Sequence, residues 1–414
     1  MSKHLHIIGI GGIGISALAR YYHSLGYRIT GSDQTESSLI VTLRAEGIEV
    51  TIGHTMSAIT PDTDLVIYSE AIITKPDFPK DQQIYSNPEL AQAKNLHIPH
   101  LSYPEALAEV VNSKKCIAIA GSHGKSTTTA MTALIFVGSP LGANVIIGTQ
   151  VPQLGNSNFH AEDSEYFVIE ACEYRRAFLR YKPYITVITN IDLDHLDYYK
   201  NLDDYISAFQ SLVDQTEKYV VISADDENSA HLQIPEEKKV IVGNGTMQYS
   251  CGADVCKVFS LPPILLQIPG RHIQKDAYLS YAVGKLLDLE DEFMVNRLQS
   301  YNGSWRRSEI VRTTYHGNIL MSDYGHHPNE IIPTLSALRE KYPDRKLYVV
   351  FQPHQYSRTR ELLPAFATAF DAADMLVVPD IYFSRDKKED VEYMTVERFI
   401  EAVRPYQPHI LDGK

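Results

Sequence analysis

The chain has few cysteines, four in 414 residues, which rules out a disulfide-held scaffold. Only Cys251 and Cys256 lie close together, and no second pair completes a structural zinc site. No apolar run approaches the roughly 18 residues of a membrane span. The N-terminus enters a strand-like segment without a basic leader or an apolar secretory region, so a cytoplasmic protein is expected. Tryptophan occurs once, and the 26 tyrosines are scattered rather than gathered into a stacking platform. Positive charge is also in deficit, with 38 Lys and Arg against 51 Asp and Glu, a net of −13. That balance argues against a nucleic-acid surface. A small anionic ligand stays compatible, because it feels local loops rather than total charge.

What is present is ordinary globular composition, 44 % hydrophobic and 21 % charged, at a length that implies about two or three domains. The strongest signal is the run from Cys116 through Gly121-Ser122-His123-Gly124-Lys125-Ser126-Thr127. An apolar strand ends at a glycine, and a Gly-Lys-Ser triplet opens a helix, as in a phosphate-binding loop. Backbone N–H groups turn inward there, Lys125 can reach a β- or γ-phosphate, and Ser126 can ligate Mg²⁺. The loop is short, Gly-x-x-Gly-Lys-Ser, and lacks the first glycine of the full triphosphatase pattern. A chance triplet in a turn would lack the flanking strand and helix.

Three α/β units follow from the spacing. Residues 1–107 open with a strand at His4, the turn Gly9-Ile10-Gly11-Gly12-Ile13-Gly14, a helix to Leu25 and a second strand ending at Asp33. This is a Rossmann-like start, with glycines for a pyrophosphate and an acid for a ribose. Glycines for packing alone would read the same way. Later strands are expected at Asp64–Ser69 and His97–Pro99. Residues 108–309 carry the phosphate loop and buried runs ending in acids or amides, at Glu170, at Asn190 and at Asp225. Such runs indicate a mostly parallel sheet with its site at the strand C-termini. Glu170 is placed to hold Mg²⁺. His195 sits in an acid-rich turn whose Asp194 and Asp197 are its simplest salt partners. Residues 310–414 form a third Rossmann-like unit, with strands at Gly317–Asp323, Lys346–Phe351 and Asp374–Pro379, the last leading to Asp380 and Arg385. Arg358 and Arg360, next to His354, suit a carboxylate or phosphate. The pair His326-His327 fits substrate contact and turn structure better than a metal.

Taken together, these segments resemble the Mur ligases over nearly the whole chain. They are the Gly9–Gly14 turn, the Gly121–Thr129 loop, Glu170-Ala-Cys-Glu-Tyr-Arg-Arg-Ala-Phe178, Thr189–Asp197, Asp323–Pro328 and Phe351–Arg360. The resemblance is nearest to the branch that joins L-alanine to UDP-N-acetylmuramate with ATP through an acyl phosphate. It implies that the first domain takes UDP rather than a dinucleotide, with contacts from Gly11, Gly12, Ile13, Gly14 and Asp33. It implies an ATP site at Gly121, Ser122, His123, Gly124, Lys125, Ser126, Thr127, His272 and Asp323. Ser126, Glu170 and His195 would bind Mg²⁺. Lys125, His195, Arg307 and His327 would act in catalysis, and His354, Arg358 and Arg360 would contact substrate. It further implies a monomer or weak homodimer, with no nucleic-acid partner and no membrane span.

The chain departs from the family pattern in places. In Pro269-Gly-Arg-His272-Ile273-Gln-Lys-Asp276, Ile273 and Asp276 stand where the family has amides. A relaxed choice of nucleotide base is expected from that. Trp305 is large enough to reshape the edge of the arginine motif. The chain stops at Lys414, earlier than the family usually ends, so a final strand and helix of the third unit are expected to be missing. Two other readings are a ligase that attaches a whole tripeptide and a non-catalytic nucleotide-binding relative. Only about a dozen residues separate Phe178 from Asn190, and the tripeptide ligases usually carry a longer insert there.

Overall fold

The computed structural model describes residues 3–72, 84–195, 198–243, 245–250, 256–384 and 386–413. Cys251, Asp197 and Arg385 lie outside the described residues. The first sheet is wholly parallel, in the order β3-β2-β1-β4-β5. Its strands are β1 His4–Ile8, β2 Arg28–Asp33, β3 Glu49–Ile52, β4 Leu65–Tyr68 and β5 His100–Ser102. The chain reverses its direction of travel across the sheet between β1 and β4. The glycine turn therefore opens into the crevice at the switch point, where ligands bind in such sheets. A strand was expected at His97–Pro99, but β5 starts at His100. His97 instead takes a left-handed φ of 56° in the turn that leaves the helix Pro88–Asn95.

The second sheet has nine strands, in the order β14-β13-β12-β11-β10-β6-β9-β7-β8. They are β6 Lys115–Ala120, β7 Asn144–Val151, β8 Ser157–His160, β9 Tyr166–Glu170, β10 Ile185–Ile188, β11 Tyr219–Ser223, β12 Lys239–Gly243, β13 Thr246–Ser250 and β14 Cys256–Ser260. The six central strands run parallel and the flanking ones antiparallel. β6 lies between β10 and β9 with five of its six residues buried, so the phosphate loop leaves the middle of the sheet. The helix Lys125–Phe136 that follows is buried at every residue after the first. Its small and apolar side chains let it pack between the sheet and the helix Arg271–Leu286.

The first two sheets share one hydrophobic core, which runs from Leu5, Ile7 and Leu18 to Cys116, Ala118, Phe167 and Ile188. A polar staple reinforces it. Arg20 forms a salt bridge with Glu46 and donates to Asn158, and Asn158 donates to the Ile13 carbonyl and the Ser16 hydroxyl.

The third unit keeps a separate core around Phe351, Phe366, Phe370 and Phe399. Its parallel sheet is β17 Tyr348–Val350, β18 Met375–Val378 and β19 Ile410–Asp412. The strand expected at Gly317–Asp323 forms as β16 Ile319–Ser322, but it pairs antiparallel with β15 Glu309–Thr313, outside that sheet. A tight turn at Gly317, φ 77°, joins the two strands. So short a connection permits only antiparallel pairing. Among the described residues, no helix is long and apolar enough to cross a membrane.

Candidate active site

Two glycines set the shape of the phosphate loop. Gly121 has φ 134° and Gly124 φ 80°, and a side chain at Gly121 would collide with Thr189. The loop is tied to the end of β10. Ser122 N donates to the Asn190 carbonyl, His123 N to the Asn190 side chain, and the Ser122 hydroxyl to the Asp192 carbonyl. Lys125 curls back over the loop. Its ammonium lies 2.5 Å from the Gly121 carbonyl and 3.0 Å from both the Ser122 carbonyl and Glu173.

Glu173 is the hub of this end of the site. It is 1 % exposed and holds Lys125 on one side and His195 Nε2 on the other, at 3.3 Å. Burial pushes its carboxyl up, but Lys125 and His195 overcome this and hold it below the ordinary carboxylate value. Glu170 stands apart from that pair. It accepts from the Ser126 hydroxyl at 3.1 Å and from Gly148 N at 3.0 Å. His195 and Glu170, both expected at Mg²⁺, have different protein partners, Glu173 for the first and Ser126 and Gly148 for the second. Sequence reasoning passed over Glu173, although it sits three residues past Glu170. That spacing was a usable signal, since a turn after a strand end returns its side chain to the same rim.

The third unit reaches the same loop. His123 lies between Glu330, at 3.3 Å, and Asp192, at 3.4 Å, and its ring sits 4.8 Å from that of His327. Burial would lower the His123 pKa, but Glu330 and then Asp192 outweigh it and raise it. Glu330 also caps the helix Pro328–Lys341 in a box with His327, pairs with His326, and lies 3.8 Å from Arg307. Glu330 too was not singled out from the sequence. Asp194 joins the two units again, bound to Arg358 at 3.0 Å rather than to the His195 side chain. Asn329 donates to Asp192 at 3.2 Å.

Three family descriptions match consecutive parts of the chain. They are "Mur ligase family, catalytic domain" over 4–115, "Mur ligase middle domain" over 119–255 and "Mur ligase, glutamate ligase domain" over 306–411. The UDP-N-acetylmuramate–L-alanine ligase of Clostridium novyi is 36 % identical over 413 residues, covering 95 % of this chain and 86 % of its own. This chain belongs to the Mur ligase family. The corresponding ligase of Caldanaerobacter subterraneus is 37 % identical over 403 residues, 93 % of this chain and 84 % of that one. Among solved structures, the UDP-N-acetylmuramate–alanine ligase MurC of Thermotoga maritima superposes with a TM-score of 0.76 at 25 % identity, over 99 % of this chain and 90 % of that one. A murein peptide ligase of Psychrobacter arcticus shares the fold, with a TM-score of 0.66 at 20 % identity, over 99 % and 91 % of the two chains.

Several side chains in this Mur ligase stand elsewhere than their sequence positions implied. Arg358 is spent on Asp194, and Arg360 reaches Asp390 at 2.6 Å, so the two do not converge on one anion. Asp33 accepts from Gly11 N at 2.9 Å and so holds the glycine turn together. Asp323 accepts from Ser308 N and Gly325 N. His272 opens the helix Arg271–Leu286 beside Gly270, and burial lowers its pKa. His327 and His354 do not share a pocket. His327 faces the phosphate loop. His354 stacks on Tyr382 and joins His326 in lining a cavity of about 680 Å³, between the β15–β16 hairpin, the helix Pro328–Lys341 and β17.

Ile273 and Asp276, which stand where the family has amides, are both buried. Ile273 is buried in the apolar core with Ile268, Leu298 and Tyr301, so it packs and reads no base. Asp276 lies under the phosphate loop, where a side chain at Gly124 would meet its Oδ1 at 2.8 Å. Burial pushes its pKa up to about 7, only partly opposed by Lys275. A carboxyl whose folded pKa is raised stabilises the fold fully below its unfolded value, near 3.8, and loses that contribution as pH climbs through about 7. Asp276→Asn is therefore expected to raise stability at pH 8 by about 2–4 kcal/mol and to change little near pH 4. Urea unfolding at both values checks this, and equal effects at both would refute it.

Proposed function

We propose that this Mur ligase joins the amine of L-alanine to the lactyl carboxylate of UDP-N-acetylmuramate at the expense of ATP, in peptidoglycan precursor synthesis. The observation that carries this is the placement of two anion-binding turns, Gly9–Gly14 and Gly121–Ser126, on one shared core, with third-unit groups reaching the second turn. The names of the relatives support the choice of substrates. In this reading, residues 1–107 take the UDP moiety, 108–309 take ATP, and 310–414 bring in the amino acid.

The lactyl carboxylate attacks the γ-phosphorus, giving an acyl phosphate and ADP. For that transfer Lys125 exchanges the loop carbonyls for the phosphate as ATP binds, while Arg307, within reach of Glu330, neutralises the transferring group. The amine attacks the activated carbonyl, and inorganic phosphate leaves. Neutral His327 has its Nδ1 occupied as acceptor from Asn329 N, so its proton sits on Nε2 and the ring acts as a donor. Burial, chiefly, holds its pKa down to about 4. His195 turns its Nε2 to Glu173 at 3.3 Å, which leaves Nδ1 as the ring nitrogen that could hold a divalent cation.

Ser126 and Glu170 present two adjacent hard oxygen donors. Among the described residues, no cluster of three metal-binding side chains exists. That partial set fits Mg²⁺, which completes its shell with phosphates and water. When bound, Mg²⁺ offsets phosphate charge. Closure of the third unit over the loop excludes water from the acyl phosphate.

Phosphate release with UDP-N-acetylmuramate and single amino acids tests the reading. L-alanine should exceed glycine in kcat/KM by about tenfold, the worth of one buried methyl group. A free tripeptide that outperforms both would replace this reading with the tripeptide reaction.

A further inference from the structure

We infer that Tyr103 is a substrate-positioning residue whose phenol hydroxyl donates a hydrogen bond to the lactyl carboxylate of the sugar nucleotide. The assignment rests on the function proposed above and names a contact within it.

Tyr103 is the first residue of the helix Tyr103–Val111, directly after β5. It therefore lies at the C-terminal edge of the first sheet, the side on which the glycine turn opens. Its backbone is fixed by the capping box of Ser102 and Glu105. The ring crosses toward the start of the first helix, Ile13–Ser24, where a side chain on Gly14 would meet the phenol oxygen at 2.7 Å. The charge of Glu170, in the central unit, acts on the phenol. Glu170 in turn touches Ser126 of the phosphate loop.

The hydroxyl thus adjoins the turn that takes a diphosphate and feels the charge of the acid that holds Ser126 of the phosphate loop. A ligand anchored at the first and reacting at the second must pass it, and the part nearest Glu170 is the part that reacts. Tyr103 as a residue is half-buried, and no bond from its phenol oxygen to another described side chain competes for it. A phenol keeps its proton at neutral pH and so serves a carboxylate as donor. Arg20, Asn158 and the shared core lock the two units, so the distance the phenol spans is set before ligand arrives.

Tyr103→Phe removes the oxygen and keeps the ring. Titration calorimetry would compare UDP-N-acetylmuramate with UDP-N-acetylglucosamine, which lacks the lactyl group. The variant should weaken the first by about tenfold and leave the second unchanged, the usual effect of one hydrogen bond to a charged group. In steady state, kcat/KM for UDP-N-acetylmuramate should fall to match, with KM for ATP and the melting temperature unmoved. Equal losses for both nucleotides would show general packing and overturn the assignment, as would a variant indistinguishable from wild type. A wild-type enzyme that ignored UDP-N-acetylmuramate would overturn the functional reading along with it, which is distinct from an active wild type beside an unchanged variant.

Discussion

Lys125→Ala is expected to lower ligation by about a thousandfold or more, the scale seen when a principal charge on a transferring phosphoryl group is lost. The ammonium sits at the mouth of the phosphate loop, held by two carbonyls and Glu173, all of which it can exchange for phosphate oxygens. Among the described residues, no other amine is found in those contacts. Affinity for UDP-N-acetylmuramate without ATP should change little, because the glycine turn lies in the first sheet and is held by Asp33 and Ser32. Calorimetry and phosphate release on the same preparation separate the two effects. A matching loss of sugar-nucleotide affinity would show that both turns serve one ligand, contrary to the assignment of the two units.

The second large effect is expected at Glu330. This carboxylate is 12 % exposed and gathers His123, His326, His327 and Arg307 around the phosphate loop. Burial pushes its pKa up, but His326, His123 and Arg307 overcome that and hold it well below the ordinary value. A depressed carboxyl stabilises the fold above its unfolded pKa, near 4.5, and loses that contribution as pH falls through its folded pKa. The partner His123, raised, contributes below about 6.5 and loses its share as pH rises through its folded value. The contact between the units is therefore strongest in mildly acid solution.

Glu330→Ala removes one of the two carboxylates beside His123, the carboxylate that Arg307 faces and the helix cap, a loss of about 3–5 kcal/mol. Turnover should drop by about 100-fold or more, since Arg307 loses its anchor. In calorimetry the third unit should unfold separately and earlier, because its core is separate from the shared one. Wild-type turnover together with a single unaltered transition would sink this account.

Much of the molecule was legible in the residues themselves. Apolar runs ending at glycine, acid or amide placed β1, β6, β9 and β10. The parallel α/β character followed, because only strands covered on both faces read as continuous apolar runs. The phosphate loop was equally clear, because its conformation is enforced locally by Gly121 and Gly124. The family followed from the joint pattern of several such segments. These features depend on near neighbours in the chain, and the sequence by itself determined them.

The tertiary structure decided which side chains meet. Nothing local to Glu173 says that it lies between Lys125 and His195, and nothing local to Glu330 says that it faces His123 from another unit. Arg358 and Arg360 looked like one binding fork, yet their bonds to Asp194 and Asp390 arise from segments far apart in the chain. That Ile273 packs into the core followed from the placement of its helix. The pairing of β15 with β16, the core shared by the first two units and the approach of Tyr103 to Gly14 are of the same kind. Dihedral preference and periodicity act over a few residues, and so a sequence states them directly. Contacts between distant segments form only when burial, charge pairing and strand register are satisfied together, and the folded chain alone reveals which partners meet those conditions.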